Sequence, residues 1–65
     1  MRYLFSEQQN LQSHRESFEI EAKNRTQAKR IASRRKAFTG TVLVLRCNGA
    51  AVAYKEDGKR WKDVD

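Results

Sequence analysis

Two glycine-containing turn signals in the C-terminal half constrain the fold of this chain more than any other feature. Asn48-Gly49 separates the apolar, β-branched run 41–47 from a second run, 50–55. Asn-Gly between two such runs is the strongest short-range hairpin signal, because both residues accept the positive φ of a type I′ turn. Asp57-Gly58 repeats the signal before residues 59–62. The sequence therefore predicts three antiparallel strands joined by tight turns.

The same turns predict which side chains share a face of this sheet. With two-residue turns, Leu45 lies opposite Val52, Leu43 opposite Tyr54, and Tyr54 opposite Trp61, all on the face that a helix would cover. The other face would carry small apolar residues, which we interpret as a possible dimer seam between two copies of the chain. The seam residues are Val42, Val44, Ala51 and Ala53.

Basic side chains surround the predicted seam, so a flat platform for a nucleic-acid backbone is an alternative interpretation of the same face. These side chains are Arg46, Lys55, Arg60 and Lys62. The predicted register places no aromatic ring there for base stacking, which argues against the platform. A slip of one residue would reverse that conclusion, because it turns every side chain to the opposite face.

The N-terminal half predicts one or two further strands. Residues 18–23 alternate between apolar and charged side chains, as in a strand with one buried and one solvated face. Residues 3–5 are apolar and suit a short strand. Between them, residues 6–17 are polar except for Leu11, which indicates a long loop.

A helix is predicted from about residue 26 to residue 38. Thr26 or Asn24 suits the N-cap, where a side-chain oxygen accepts a hydrogen bond from the first turn. Gly40 stands where a helix would stop. At 100° per residue the helix has one largely apolar stripe. The stripe consists of Ala28, Ile31, Ala32 and Phe38, with Arg35 among them.

Together these elements predict a single small α+β domain over residues 1–65, in the order β-β-α-β-β-β or β-α-β-β-β. A core of this size rarely contributes more than about 3–5 kcal/mol, so small domains add disulfides, metals or oligomerisation. Cys47 is the only cysteine and His14 the only histidine. We therefore expect no internal disulfide and no zinc site. Oligomerisation remains, and we expect a homodimer.

Positive charge is concentrated in the middle of the chain. The net charge is +6, and no Asp or Glu occurs between Glu21 and Glu56, an interval that holds nine Lys and Arg residues. Such segregation creates a directed field that attracts polyanions or acidic proteins. An ordinary solvated helix face mixes signs and gains i,i+4 ion pairs, whereas the predicted helix has no acidic residue.

The leading functional hypothesis is a small nucleic-acid-binding protein that contacts mainly the phosphate backbone, with little sequence readout. The predicted contact residues are Arg25, Lys29, Arg30, Arg34 and Lys36. The alternative is a protein–protein interaction module, an accessory or inhibitory factor that dimerises through its sheet and binds an acidic partner. A third interpretation, a merely solvated basic face, is weakened by the missing acidic residues.

Catalysis is not indicated by the sequence. The chain has no nucleophile–base order typical of hydrolases, no metal-ligand cluster and no glycine-rich phosphate loop, so we expect no enzyme activity and no cofactor. It shows neither a signal peptide nor a membrane-spanning run, and we expect a cytoplasmic protein.

Overall fold

Five antiparallel strands and one helix form the part of the chain that the computed structural model describes, residues 1–10 and 17–64. The predicted α+β class is confirmed. The sheet has the strand order β2-β1-β3-β4-β5, and every neighbouring pair is antiparallel. In chain order the elements are β1 Arg2–Gln8, β2 Phe18–Glu21, α1 Arg25–Arg35, β3 Val42–Cys47, β4 Ala50–Lys55 and β5 Lys62–Asp63.

The first strand is longer than predicted. It continues through residues 6–8, which were expected to belong to a loop, because these three residues pair with Val42, Leu43 and Val44 of β3. Pairing with β3 gives hydrogen-bond partners to the backbone of a polar segment that sequence pattern alone assigns to a loop. The remainder of the predicted loop includes residues 11–16, which lie outside the described residues.

The helix begins at a side-chain cap. Asn24 is extended, with φ of −158°, and its Oδ1 accepts a hydrogen bond from the Gln27 N–H at 2.9 Å. The Gln27 Oε1 in turn accepts a bond from the Lys23 N–H at 2.6 Å. The first bond satisfies a donor that the first turn leaves open, and the second satisfies the N–H that precedes the cap. Asn24, rather than Thr26, is therefore the N-cap.

The helix ends at Arg35, three residues earlier than predicted. Lys36 is extended, with ψ of 122°, and the next two N–H groups, of Ala37 and Phe38, donate to the Glu7 carboxylate instead of to helix carbonyls. Phe38 was expected on the buried stripe, but it lies beyond the helix and is 68% exposed. A strong acceptor on β1 thus ends the helix, and local propensity did not reveal it.

The core lies between α1 and one face of the sheet. The helix contributes two alanines that are fully buried, Ala28 and Ala32, so it approaches the strands closely. Half-buried Ile31 and Trp61 pack at the margin of this cluster. The buried residues that the sheet and the segment after β2 supply are Tyr3, Phe5, Ile20, Ala22, Leu43, Leu45 and Ala53.

The predicted register of the C-terminal strands is wrong beyond the first turn. Both Asn48 and Gly49 have positive φ, 55° and 81°, as a type I′ turn requires. After two regular pairs, however, Leu45 lies opposite Ala53, which leaves Val52 as the extra residue of a β-bulge. Tyr54 therefore lies opposite Val44, on the face away from the helix.

The second turn also differs from the predicted two-residue form. Gly58 has positive φ, but Asp57 does not, and the strand pair resumes with Tyr54 opposite Lys62 rather than Trp61. The connection is thus one residue longer than a two-residue turn allows. This places Lys62 beside Tyr54, with the ammonium nitrogen 6.0 Å from the ring centroid.

Candidate functional site

Carboxylates from the C-terminal segment pair with three of the five residues predicted to contact phosphate. Arg25 and Lys29 both contact Asp63, with N–O distances of 3.3 Å and 2.7 Å. Lys36 forms an ion pair with Asp57. The helix has no acidic residue of its own, and distant parts of the chain supply the compensating charge. The predicted contact set is therefore partly neutralised in the folded protein.

The two aspartates are held in their charged form. The hydrogen bond from Lys29 lowers the pKa of Asp63 below its usual value near 3.8; desolvation opposes this lowering, and Arg25 adds to it. The hydrogen bond from Lys36 lowers the pKa of Asp57 in the same way. Both pairs therefore persist at neutral pH.

Arg30 and Arg34 differ from the other three predicted residues. Both side chains are exposed, and neither forms an ion pair within the described part of the chain. They line a shallow groove of about 450 Å³ between α1 and the start of β5. We call it the Trp61 groove; its lining residues are Thr26, Lys29, Arg30, Ser33, Arg34 and Trp61.

Trp61 forms the apolar wall of this groove. Its Nε1 donates a hydrogen bond to the Ser33 Oγ at 3.0 Å, which fixes the indole against the helix. The ring packs at the margin of the core and is half-buried, so part of its surface remains accessible. The groove thus combines a fixed aromatic surface with two accessible guanidinium groups. Tryptophan and arginine are the residue types most enriched where protein interfaces gain their affinity.

Trp61 was expected in the sheet core opposite Tyr54, and no sequence pattern indicated a groove. The longer turn after β4 moved it to the side of the helix. Its bond to Ser33 spans 28 residues, and only the tertiary structure reveals it. The nearest signal in the sequence is Ser33 itself, a small polar residue between Ala32 and Arg34.

Two of the four predicted seam residues are not available for a partner copy. Ala53 is fully buried beneath the helix, on the opposite face from the one predicted, and Val44 is 3% exposed. Val42 is half-buried and Ala51 is exposed. The homodimer stays a prediction, but a seam through all four residues does not fit this arrangement.

The face away from the helix is also not the flat platform considered as an alternative. Its centre contains a chain of hydrogen bonds in which Arg46 Nη1 donates to Ser6 Oγ at 3.2 Å and Ser6 Oγ donates to Gln8 Oε1 at 2.7 Å. Ser6 and Gln8 are buried. Lys55 lies opposite Leu43, on the helix side of the sheet. The four basic residues therefore do not share one surface.

Comparison with known proteins gives a match among solved structures. No protein-family model and no curated protein matches this chain. Among solved structures, AcrIF9 superposes with a TM-score of 0.94 and 50% sequence identity, and the match covers 100% of this chain and 87% of AcrIF9. The chain belongs to the AcrIF9 family. AcrIF9 is an anti-CRISPR protein.

Membership in the AcrIF9 family corrects the leading functional hypothesis. The hypothesis that the main function is general nucleic-acid binding by a small basic protein, mainly through phosphate contacts, is wrong. The match supports the alternative, a protein–protein interaction module that acts as an inhibitory factor. The charge pattern did not distinguish the two, because an acidic protein surface and a phosphate backbone both attract a basic helix.

In the described part of the chain, no helix is long and apolar enough to cross a membrane.

Proposed function

We propose that this chain is an anti-CRISPR protein that acts by binding the protein complex that AcrIF9 binds. The observation that carries the proposal is the 50% identity to AcrIF9 over the whole chain, together with the TM-score of 0.94. A shared fold alone would not transfer a function, since one fold supports many activities. Here half of the residues are identical as well, over the full length of this chain.

The Trp61 groove is the surface that we assign to this contact. Arg30 and Arg34 can each form bidentate hydrogen bonds with a carboxylate. The fixed indole of Trp61 offers an apolar area that needs little further ordering when a partner binds. The surface that fits the groove is therefore acidic at its rim and carries at least one apolar side chain.

In the proposed mode of action, the protein inhibits the complex by covering part of its surface, without catalysis. An inhibitor that covers part of a complex blocks whatever that part would otherwise bind, and it needs no reactive group to do so. We place this action in the cytoplasm of the host cell, where an anti-CRISPR protein acts. The excess positive charge speeds the encounter with an acidic surface and makes the association rate depend on ionic strength.

A pair of double variants tests the groove. Arg30→Ala with Arg34→Ala removes two positive charges from it, and Lys59→Ala with Lys62→Ala removes two from exposed positions around the turn after β4. In the folded protein Lys59 and Lys62 contact only Glu56 among acidic groups in the described residues, at 3.8 Å and 4.0 Å. The two variants therefore have the same net charge.

We expect the groove variant to bind the purified CRISPR complex at least about tenfold more weakly, since two interface arginines at about 1 kcal/mol each exceed that loss. The control should stay within about threefold of the wild type. Binding is measured by biolayer interferometry, alongside inhibition of target cleavage. Equal losses in both variants would mean that net charge, not the groove, supplies the affinity. A wild-type chain that does not bind the complex would overturn the proposed function itself.

A further inference from the structure

The carboxylate of Asp63 contacts two cations of the basic helix at once. Its Oδ1 lies 2.7 Å from the Lys29 ammonium nitrogen and 3.3 Å from the Arg25 Nη1. The Lys29 side chain is 19% exposed, although it lines the Trp61 groove. An acidic residue of the same chain thus already covers a cation that the groove would otherwise offer to a ligand.

The pairing of β5 with β4 places Asp63 on the helix side of the sheet. Asp63 lies opposite Ala53, which is fully buried beneath the helix, and residues directly opposite in an antiparallel pair share a face. The Val64 N–H donates to the Val52 carbonyl at 2.9 Å, and the Trp61 indole is bonded to the helix at 3.0 Å. The backbone is therefore held on both sides of Asp63, and its carboxylate is in position before any ligand approaches.

Phosphate and carboxylate oxygens compete for the same donors, because both are anionic acceptors for Lys and Arg. Nucleic acid draws much of its affinity from the number of cations that it contacts, since each contact releases counterions. An acid on the same chain has a high effective concentration at these cations. A nucleic acid that used Arg25 and Lys29 would have to displace Asp63 from both.

An acidic protein surface loses less from this arrangement. Arg30 and Arg34 form no ion pair within the described part of the chain, and each can bind a carboxylate through two hydrogen bonds. A folded partner also offers apolar surface, which the half-buried ring of Trp61 can contact. Its affinity therefore depends less on the total number of cations than the affinity of a phosphate backbone does.

We propose that Asp63 is a specificity-determining residue. By occupying Arg25 and Lys29, it makes the basic helix select an acidic protein surface over the phosphate backbone of nucleic acid. This inference rests on the proposed function, because it explains how the side of the helix that carries the groove favours a protein. The sequence pattern counts both cations as phosphate contacts, whereas the fold gives them an internal partner.

Asp63→Asn tests the proposal, and Glu19→Gln is its matched control. Each variant loses one negative charge from a chain of net charge +6, so the two have equal net charge. Glu19 also contacts a cation, the Arg2 side chain at 3.6 Å. It alternates with buried Ile20 on the edge strand β2, so it lies on the sheet face away from the helix.

Binding to a short random-sequence duplex is measured by fluorescence anisotropy at about 50 mM and about 200 mM salt. At the lower salt concentration Asp63→Asn should bind at least about tenfold more tightly than Glu19→Gln. This gain should shrink by about tenfold at the higher concentration, because two added phosphate contacts steepen the log–log salt dependence by about 1.8. Binding of Asp63→Asn to the purified CRISPR complex should stay within about threefold of the wild type.

A second background separates occupancy of the two cations from long-range charge. In a chain that carries Arg25→Gln and Lys29→Gln, Asp63→Asn should raise duplex affinity no more than Glu19→Gln does in the wild type, since the carboxylate no longer covers a cation. A tenfold gain that persisted in this background would overturn the inference. Melting temperatures measured alongside confirm that each variant is folded at the temperature of the assay.

The outcomes separate this inference from the proposed function. If Asp63→Asn and Glu19→Gln bind the duplex equally while the wild type binds the complex, the role of Asp63 in specificity is refuted and the groove stands. If Asp63→Asn loses affinity for the complex and gains none for the duplex, Asp63 only supports the groove, and the inference is overturned. If the wild type does not bind the complex, the proposed function fails and the inference fails with it.

Discussion

Replacing Ala53 by leucine tests the β-bulge that sets the orientation of the C-terminal strands. In the structure Ala53 is fully buried in the cluster that contains Ala28 and Ala32, whereas Ala51 is exposed. The register predicted from two-residue turns places Ala51 and Ala53 on the same face, away from the helix. The two registers therefore predict different responses to the same substitution at these two positions.

The size of the expected change in stability follows from the space around the Ala53 side chain. A leucine that fitted would bury three more carbons and gain roughly 2 kcal/mol, at about 0.8 kcal/mol for each. Beneath a helix that approaches through two alanines there is no such space, and overpacking typically costs about 1–3 kcal/mol. An exposed substitution such as Ala51→Leu stays within about 0.5 kcal/mol. For a domain of this size, about 1 kcal/mol lowers the melting temperature by roughly 4–8 °C.

The assay is thermal and urea unfolding of the wild type, Ala53→Leu and Ala51→Leu, followed by circular dichroism. We expect Ala53→Leu to lose between about 4 °C and 24 °C, by the conversion above, and Ala51→Leu to change by no more than a few degrees. Equal melting temperatures for the two variants would refute the bulge and restore the regular register. A stabilised Ala53→Leu would refute the close approach of the helix.

Two further predictions concern the cap and the ion pairs of the helix. Asn24→Ala should lower the free energy of unfolding by about 1 kcal/mol, because the Gln27 N–H loses its acceptor, whereas Thr26→Ala should have little effect; urea unfolding of the two variants measures the difference. Asp63 has a lowered pKa in the folded state, so its contribution to stability is present at neutral pH and is lost as the pH falls below its usual pKa near 3.8. Asp63→Asn should therefore be less stable than the wild type at pH 7, and the two unfolding curves should converge at low pH; a constant difference down to pH 2 would contradict the assigned pairing.

The positive charge of the helix was predictable from the sequence, but the carboxylates that pair with part of that charge were not. The interval without acidic residues indicated an interaction surface with an anionic partner. Local rules search for a compensating acid three or four residues away, and none is present in α1. Asp57 and Asp63 reach Lys36, Lys29 and Arg25 only after the strands have folded back beside the helix. Of the five predicted contact residues, Arg30 and Arg34 are therefore the two that form no ion pair within the described part of the chain.

The partner could not be predicted from the charge pattern. A basic helix attracts phosphate and carboxylate alike, so electrostatics alone left nucleic acid and protein as alternatives. Sequence identity to AcrIF9 supported the protein alternative. Trp61 was expected to be a core residue because an aromatic side chain in a strand usually is. It packs at the margin of the core, and its bond to Ser33 also makes it a wall of the groove.

The sequence by itself determined the elements and their order. The alternation of apolar and charged residues predicted β2, and Asn48-Gly49 predicted the first tight turn. The helix begins near the residue that the capping side chains predicted. These features depend on neighbouring residues, which interact in the same way in any fold. The polar loop was predicted from the same kind of pattern, and that prediction was wrong at residues 6–8, where pairing with β3 outweighed the local signal.

Only the tertiary structure decided which side chains face the helix and where the helix ends. The helix packs through Ala28 and Ala32, and this close approach accepts Ala53 but not the ring of Tyr54. The bulge at Val52 rotates the strand to satisfy that packing, although the turn before it follows the predicted geometry. Likewise, Glu7 ends the helix from another strand. In each case a contact between residues far apart in the chain outweighs a local preference, because it buries or pairs groups that local structure leaves unsatisfied.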